Sequence, residues 1–483
     1  FIVEAAVAAQ SVASLAALSE FLDFGKEESK PLLEKFLYAA AFSPRPSGEL
    51  LHLVLDKLAG KQLAPETWEM GMVAVGSLVG KLCQQKLCGL QQEVERGVET
   101  ILRGLRGAEE EREVVIYLLA LGNALLPGTI PTLLEHAEEG PAAVTATAIS
   151  ALRRFPARHI SSKVKRAMRR IFHEKRKSYE RTCRLAAAEI LLDNQPSPMD
   201  VVNILLATRE METETAKFLL LKVQNSLHSH HHPARWMMKD IMRDPQINNY
   251  DFFSKAGTSS SFSGPLTVTQ DLLSTFGLDL LFLEGGFLRK SVSEFSLLSR
   301  GRRLRAAQVT FEAQGMESMM GETVSDGEEE PELMAGMSVT FFDVQLRPVV
   351  FFQGYTDLMA KVLLSSGEPT SMVRGNLLLM DHHQVIPLQS GLQVTIKLQG
   401  GLGLDISADV DVGIWEQELR TGINARGSLS MDFQAELDSP FLQATLRSQA
   451  ELETSIHFDT TLRFSSSPVL MCLQLREEQV PYR

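Results

Sequence analysis

The stretch GLQVTIKLQGGLGLDISADVDVGIW, running from Gly391 to Trp415, decides the class of fold. Leu392, Val394, Ile396 and Leu398 alternate with Gln393, Thr395, Lys397 and Gln399. Beyond Gly400-Gly401, the apolar series Leu402, Leu404, Ile406, Ala408, Val410, Val412 and Ile414 alternates with Gly403, Asp405, Ser407, Asp409, Asp411 and Gly413. Period two sends each set to one face of a sheet, and the Gly-Gly pair reads as a tight hairpin turn. Working outward, Val309, Phe311 and Ala313 alternate in the same way. So do Leu442, Ala444, Leu446, Ala450, Leu452, Ile456, Phe458, Leu462 and Phe464, all on even positions. That phase outlasts an ordinary strand of about 5–6 residues several times over. A bulge or turn is one way to divide it.

The rhythm changes between about Leu227 and Phe262. Before it, apolar residues recur every three or four positions and Pro, Gly and Ser punctuate short helices, as at Pro127-Gly128, Gly140-Pro141 and 194–198. Three Ala/Leu-rich helices followed by proline, near Pro127, Pro156 and Pro196, recur at roughly 30–40 residues, which suits stacked helical hairpins. Residues 1–245 are therefore expected to form a helical domain and 246–483 a β-sheet domain. The polar run 254–264 reads as the crossing between them, and the acidic run Ser325 to Glu332 as a loop.

The 483 residues suffice for two or more cores. The net charge of −12 is unevenly spread. Residues 1–240 hold 30 Lys+Arg against 29 Asp+Glu, and the remainder 18 against 31. An acidic β half argues against nucleic acid as a partner. No apolar run reaches the roughly 18 residues of a spanning helix. The chain opens Phe-Ile-Val-Glu without Met and reads as a piece beginning in mid-domain.

Catalytic patterns are missing. There is no Gly-x-Ser-x-Gly elbow. Gly76 to Leu82 has one residue too few between its glycines for a phosphate loop, and Leu82 stands where a hydroxyl would hold Mg²⁺. The histidines of 228–232 fit a polar interdomain turn better than a metal site, and His382-His383 has no evident partner. The chain is expected to be no enzyme and to hold no metal or cofactor.

Four features leave alternatives open. Cys83 and Cys88 are either two buried thiols or a local disulfide. The basic stretch 153–184 is either a solvated face or, through residues such as Arg166, Arg169 and Arg170, a docking surface for an acidic partner protein. Arg154 follows Ala151-Leu152 and, on a buried side, needs a carboxylate or carbonyl partner. Asp357 to Leu364 reads as a helix. So does Ser371 to Met380, which includes Met372, Val373, Leu377, Leu378, Leu379 and Met380; it either plugs the sheet core or stands at the mouth of a lipid cavity.

The chain resembles the large lipid transfer protein family, which includes vitellogenin and apolipoprotein B. The blocks that carry the likeness run nearly end to end: Lys81-Leu82-Cys83 with Cys88, Tyr117 to Leu121, Asn123 to Pro127, and Asn203 to Leu206. They continue with Asn249-Tyr250-Asp251, Asp343 to Val349, Gly354-Tyr355, Gln389 to Leu392, and Gln399 to Leu402 with Asp405-Ile406-Ser407. The resemblance implies an α+β multidomain fold, a helical superhelix followed by two large, mainly antiparallel sheets that enclose a lipid cavity. It implies residence in the endoplasmic reticulum lumen, a heterodimer with protein disulfide isomerase, and transient membrane contact. It also implies transfer of triglyceride, cholesteryl ester and phospholipid to nascent apolipoprotein B during lipoprotein assembly. A vitellogenin-like storage protein, which binds lipid without shuttling it, is the alternative. The resemblance further implies a Cys83–Cys88 disulfide, a buried structural Arg154, a substitution-sensitive Gly391, and an apolar helix at Met372 to Met380. With that helix, Leu392, Val394, Leu402, Leu404 and Ile406 are expected to line the cavity. The family's N-terminal β-barrel and its extreme C-terminal segment are expected to lie outside this chain.

Overall fold

The structure is a computed structural model. It describes residues 6, 11–22, 30–43, 46–59, 63–84, 92–229, 232, 234–248, 257–268, 272–284, 288–299, 302–315, 333–354, 356, 370–387, 393–413, 418–438, 443–463 and 470–479. Helices give way to strands between Ile241 and Ser260. Packing divides the chain differently, into one compact unit of residues 1–100 with 361–483 and another of residues 101–360.

The first unit contains α1 (Val12–Phe21), α2 (Lys30–Phe42), α3 (Gly48–Leu58), α4 (Pro65–Gln84) and the start of α5 (Gln92–Gly107). Ser47 caps α3 by accepting from the Leu50 amide at 3.1 Å. α4 is buried along most of its length, from Thr67 to Leu82, so Gly76 to Leu82 is helix interior. Ser77 and Lys81 of α4 donate to the Ala41 carbonyl at 2.6 and 2.8 Å, meeting carbonyls that the end of α2 leaves over.

The second unit contains α6 (Glu111–Ala124), α7 (Ile130–Glu139), α8 (Ala142–Arg153), α9 (Ser162–Phe172), α10 (Arg181–Asp193), α11 (Pro198–Ala207), α12 (Thr213–His228) and α13 (Arg235–Ile241). They stack in hairpins. α6 approaches α8 closely at Gly122, where an added Cβ would meet the Ala151 Cβ at 2.9 Å. α11 opens with a capping box between Ser197 and Asp200, with Pro198 in its first turn.

This unit also holds an antiparallel sheet ordered β1 (Ser260–Val268), β2 (Leu272–Phe282), β3 (Leu288–Ser299), β4 (Arg302–Gln314), β5 (Met334–Phe341) and β6 (Val344–Gln345), with β7 (Val349–Gln353) beside β5. The expected crossing at 254–264 is thus partly strand. Its entry is fixed by Glu214 of α12, which accepts from the Thr258 and Ser259 amides at 2.9 and 2.7 Å.

A five-stranded antiparallel sheet completes the first unit: β8 (Thr370–Pro387), β9 (Gln393–Gly413), β10 (Glu418–Asp438), β11 (Gln443–Arg463) and β12 (Leu470–Gln479), each paired with its neighbour in sequence. Two expectations are corrected here. Gly400-Gly401 is no hairpin turn, because β9 runs unbroken through it, with Gly400 opposite Met431 and Gly401 opposite Ser430. The physical reason is parity: the apolar series is even-numbered on both sides of the pair, so a single strand keeps it on one face. Ser371 to Met380 is no helix but most of β8, pairing along β9. β11 is likewise continuous over 21 residues, a span of about 70 Å. The expected helix at Asp357 to Leu364 and the acidic loop at 325–332 lie outside the described residues.

Candidate lipid-binding faces

Register in the five-stranded sheet sorts side chains by chemistry. Even positions of β9 pair with odd positions of β10, and those with even positions of β11. One row joins Leu377, Leu402, Leu429 and Leu452, and another joins Val373, Ile406, Ala425 and Ile456. Directly paired residues share a face, so these rows build a single apolar face. The opposite face carries Lys397, Asp405, Asp432 and Arg447, with Arg447 bonded to Asp432 at 2.7 Å. Across β9 to β11 the apolar side measures on the order of 1,000 Å², against the roughly 300–600 Å² of a typical monomer's largest apolar patch. Part of it stands open: Leu446 is 64% exposed, and Met431 is exposed too.

The expected cavity residues fall unequally on this sheet. Val373, Leu377 and Met380 of β8 register with Ile406, Leu402 and Gly400, on the apolar side with Val394 and Leu404. Leu378 registers with Gly401, outside the even-numbered apolar series of β9, while Met372 and Leu379 fall at register shifts. Leu392 and Gly391 lie outside the described residues.

The seven-stranded sheet is built the other way round from an ordinary α+β layer, in which helices cover the apolar face. Here they lie on its polar face. Lys222 of α12 reaches Asp279 of β2 and also Glu189 of α10, at 3.2 Å. Glu189 in turn binds Arg153 of α8 at 2.8 Å. Asn225 donates to the Ser261 carbonyl at 2.9 Å, and the Ser261 hydroxyl to Asp279 at 2.7 Å. Burial pushes the Lys222 ammonium down, but Glu189 and Asp279 outweigh it and hold it above its ordinary value.

On the opposite side Gly264, Phe276, Phe295 and Ala307 form one cross-strand row, with Phe262 two residues before Gly264 on the same side. Phe262, Phe276 and Phe295 are 54%, 40% and 37% exposed. Gly264 makes room for its partner, since a Cβ there would touch the Phe276 ring at 3.0 Å. Toward β5 the same side closes, with Met337, Val339 and Phe341 buried. Nothing local in the chain marks the three phenylalanines as a group, because only register joins them.

Arg154 holds a turn. Its guanidinium donates to the Asn123 side-chain oxygen at 2.8 Å and to the Asp343 carbonyl. Asn123 exchanges two bonds of 2.9 Å with the Gln345 backbone. Phe342 and Asp343 join β5 to β6 with φ of 45° and 62°, the left-handed pair of a tight hairpin. Burial and the nearby Arg305 push Arg154 down to about 9, against the pull of Asp343, so it is charged at neutral pH.

Of the proposed docking arginines, Arg169 binds Asp200 and Arg170 binds Glu138, both within this unit, and Arg166 is exposed. Cys83 is disulfide-bonded, and Cys88 lies outside the described residues. Cys183 is a buried free thiol whose burial raises its pKa. Among the described residues no His, Cys, Asp and Glu group could hold a metal, and no helix is long and apolar enough to cross a membrane.

Residues 237–483 match the family model described as the lipid-binding domain of the MTP large subunit, and residues 1–219 match the vitellogenin TPR domain. Over its whole length the chain is 42% identical to microsomal triglyceride transfer protein of Megalobrama amblycephala and to the large subunit of that protein in Rattus norvegicus, and 41% to the Homo sapiens large subunit. It spans 54% of the length of each. A solved structure of lipid-protein interactions in lipovitellin matches 99% of the chain and 51% of its own with a TM-score of 0.66, and at 15% identity it shows a shared fold. Helices followed by open antiparallel sheets, and a lipid-binding model spanning the strand-rich half, place the chain in the microsomal triglyceride transfer protein large-subunit family.

Proposed function

We propose that this chain forms the lipid-holding part of a non-enzymatic carrier, which takes triglyceride, cholesteryl ester and phospholipid from membranes to nascent apolipoprotein B. The carrier works in the endoplasmic reticulum lumen as a heterodimer with protein disulfide isomerase. The observation that carries this reading is the inverted seven-stranded sheet, which turns charge toward its own helices and Phe262, Phe276 and Phe295 away from them. The apolar face of the other sheet, with Leu377, Leu402, Leu404 and Ile406 in register, supplies a second surface of the same chemistry. The names of relatives support triglyceride as a cargo and a microsomal compartment.

The mechanism follows from transfer free energies. Each methylene leaving water for such a face gains about 0.8 kcal/mol, so one acyl chain gains roughly 10 kcal/mol. Returning to a bilayer recovers a similar amount, so exchange is close to thermoneutral and its rate is set by access to the apolar face. Polar rows such as Asp405 and Arg426 on the reverse of the sheet keep the loaded protein soluble. The test is vesicle-to-vesicle transfer of fluorescent triglyceride by the full-length heterodimer. Retention of cargo without transfer would favour a vitellogenin-like storage role, and failure to take up triglyceride at all would sink both.

A further inference from the structure

Trp236, on α13, is 72% exposed, and two cations lie over its ring. The Arg235 guanidinium is 5.3 Å from the ring centroid and the Lys239 ammonium 5.5 Å. Exposed tryptophan is costly in water, and an indole flanked by Arg and Lys is the pattern of side chains resting at a membrane interface. Two tethers show what lies beside it. His232, just before α13, stands 3.6 Å from Asp193, just before α11. Arg209, just after α11, donates to the carbonyl of Gln246, beyond α13, at 2.7 Å. The two packed helices therefore run side by side in the same direction. α11 contributes exposed Met199 near its start and exposed Leu206 near its end. An open recess of about 360 Å³ beside Leu206 is lined by His173, Lys175, Asn203, Ala207 and Glu210.

We propose that α11 and α13 form a bilayer-docking face, in which Trp236, Met199 and Leu206 enter the headgroup layer of a phospholipid membrane and Arg235 and Lys239 meet its phosphates. The inference rests on the carrier reading, because a carrier must touch the membranes it serves. The chemistry fits a bilayer better than an acidic protein. Its apolar anchors are separate and shallow. The cations beside the indole alternate with Asp240, itself paired to Arg243 at 2.8 Å, and Asp244, a mixed charge that suits zwitterionic headgroups better than a uniformly acidic protein surface. Interfacial helices combine such apolar side chains with long cations that reach upward to phosphate.

The test uses the full-length heterodimer and sedimentation with vesicles of phosphatidylcholine, alone or mixed with phosphatidylserine. Trp236→Ala is expected to weaken partitioning to both by roughly five-fold or more. Arg235→Gln with Lys239→Gln is expected to reduce the preference for the mixed vesicles. Trp236 and Lys239 are exposed, whereas Arg235 is half-buried and also donates to the Leu227 carbonyl at 3.0 Å, so triglyceride loading from detergent micelles checks that each variant folds. Loading intact with vesicle partitioning unchanged in both variants overturns the docking face alone. Loss of the partner subunit from Trp236→Ala, with vesicle binding unchanged, overturns it in favour of a protein interface. A wild-type protein that takes up no triglyceride overturns the carrier reading and this face with it.

Discussion

Lys222 bridges two carboxylates, Glu189 from the helices and Asp279 from β2, and so ties the helical layer to the polar face of the seven-stranded sheet. Its side chain is mostly withdrawn from water. Removing one member of such a buried cluster strands the others, at about 3–5 kcal/mol. Lys222→Ala is therefore expected to loosen β1 and β2 locally. Hydrogen exchange should show protection of the Leu272–Phe282 amides falling while that of β9 to β11 holds. Unchanged exchange in β2 would mean that apolar contacts, and not this cluster, dock the helices.

The phenylalanine row makes the opposite prediction. Replacing a packed core phenylalanine costs about 3–5 kcal/mol, whereas surface substitutions usually stay within about 0.5 kcal/mol. Phe276→Ser with Phe295→Ser is expected to leave the denaturation midpoint of lipid-free protein nearly unchanged and to lower triglyceride loading several-fold. A large loss of stability without cargo would show that the row packs inside the protein.

Asp200 gives a pH dependence with a definite sign. Burial pushes its carboxyl up, but Arg169 and Ser197 outweigh burial and hold it at about 2. The ordinary carboxylate value is near 4, so its contribution is complete above that pH and disappears as pH falls through 2. In the wild type the stability of α9 to α11 should decline across this window by about 1–2 kcal/mol more than in Asp200→Asn, which has nothing there to titrate. Hydrogen exchange of the α11 amides between pH 5 and pH 2 checks this, and equal declines in both proteins would contradict it.

The same ion pair explains what the sequence concealed. Arg169 finds Asp200 31 residues later and Arg170 finds Glu138 32 residues earlier. Arg154 finds Asn123 at 31. These separations repeat the 30–40-residue hairpin interval, so the basic stretch 153–184 looks unpaired only when read locally. Strand phase, by contrast, is local and survives in the chain, as the even positions from Ala444 to Leu462 on one side of β11 show. Gly400-Gly401 misled because a glycine pair signals a turn more strongly than parity signals continuity. Met372 to Met380 misled because a short apolar run fits helix and strand alike, and only pairing with β9 settles it. That helices would cover the polar face of β1 to β4 is written in no single segment.

Leu404 and Ile406 test the five-stranded sheet as cargo surface. In register Leu404 lies between Gly375 and Gly427, and Ile406 between Val373 and Ala425, so each carries much of the apolar bulk of its row. A carboxylate at both positions would put two desolvated charges beneath an acyl chain, at several kcal/mol each. Backbone pairing on both sides of β9 would persist, since it does not depend on side-chain identity. Leu404→Asp with Ile406→Asp in the full heterodimer is expected to abolish fluorescent triglyceride loading. Asp405→Asn, one residue away on the polar side, should load as the wild type does. Equal loading by the double variant and the wild type would remove this face from the lipid site and leave the phenylalanine row to carry it.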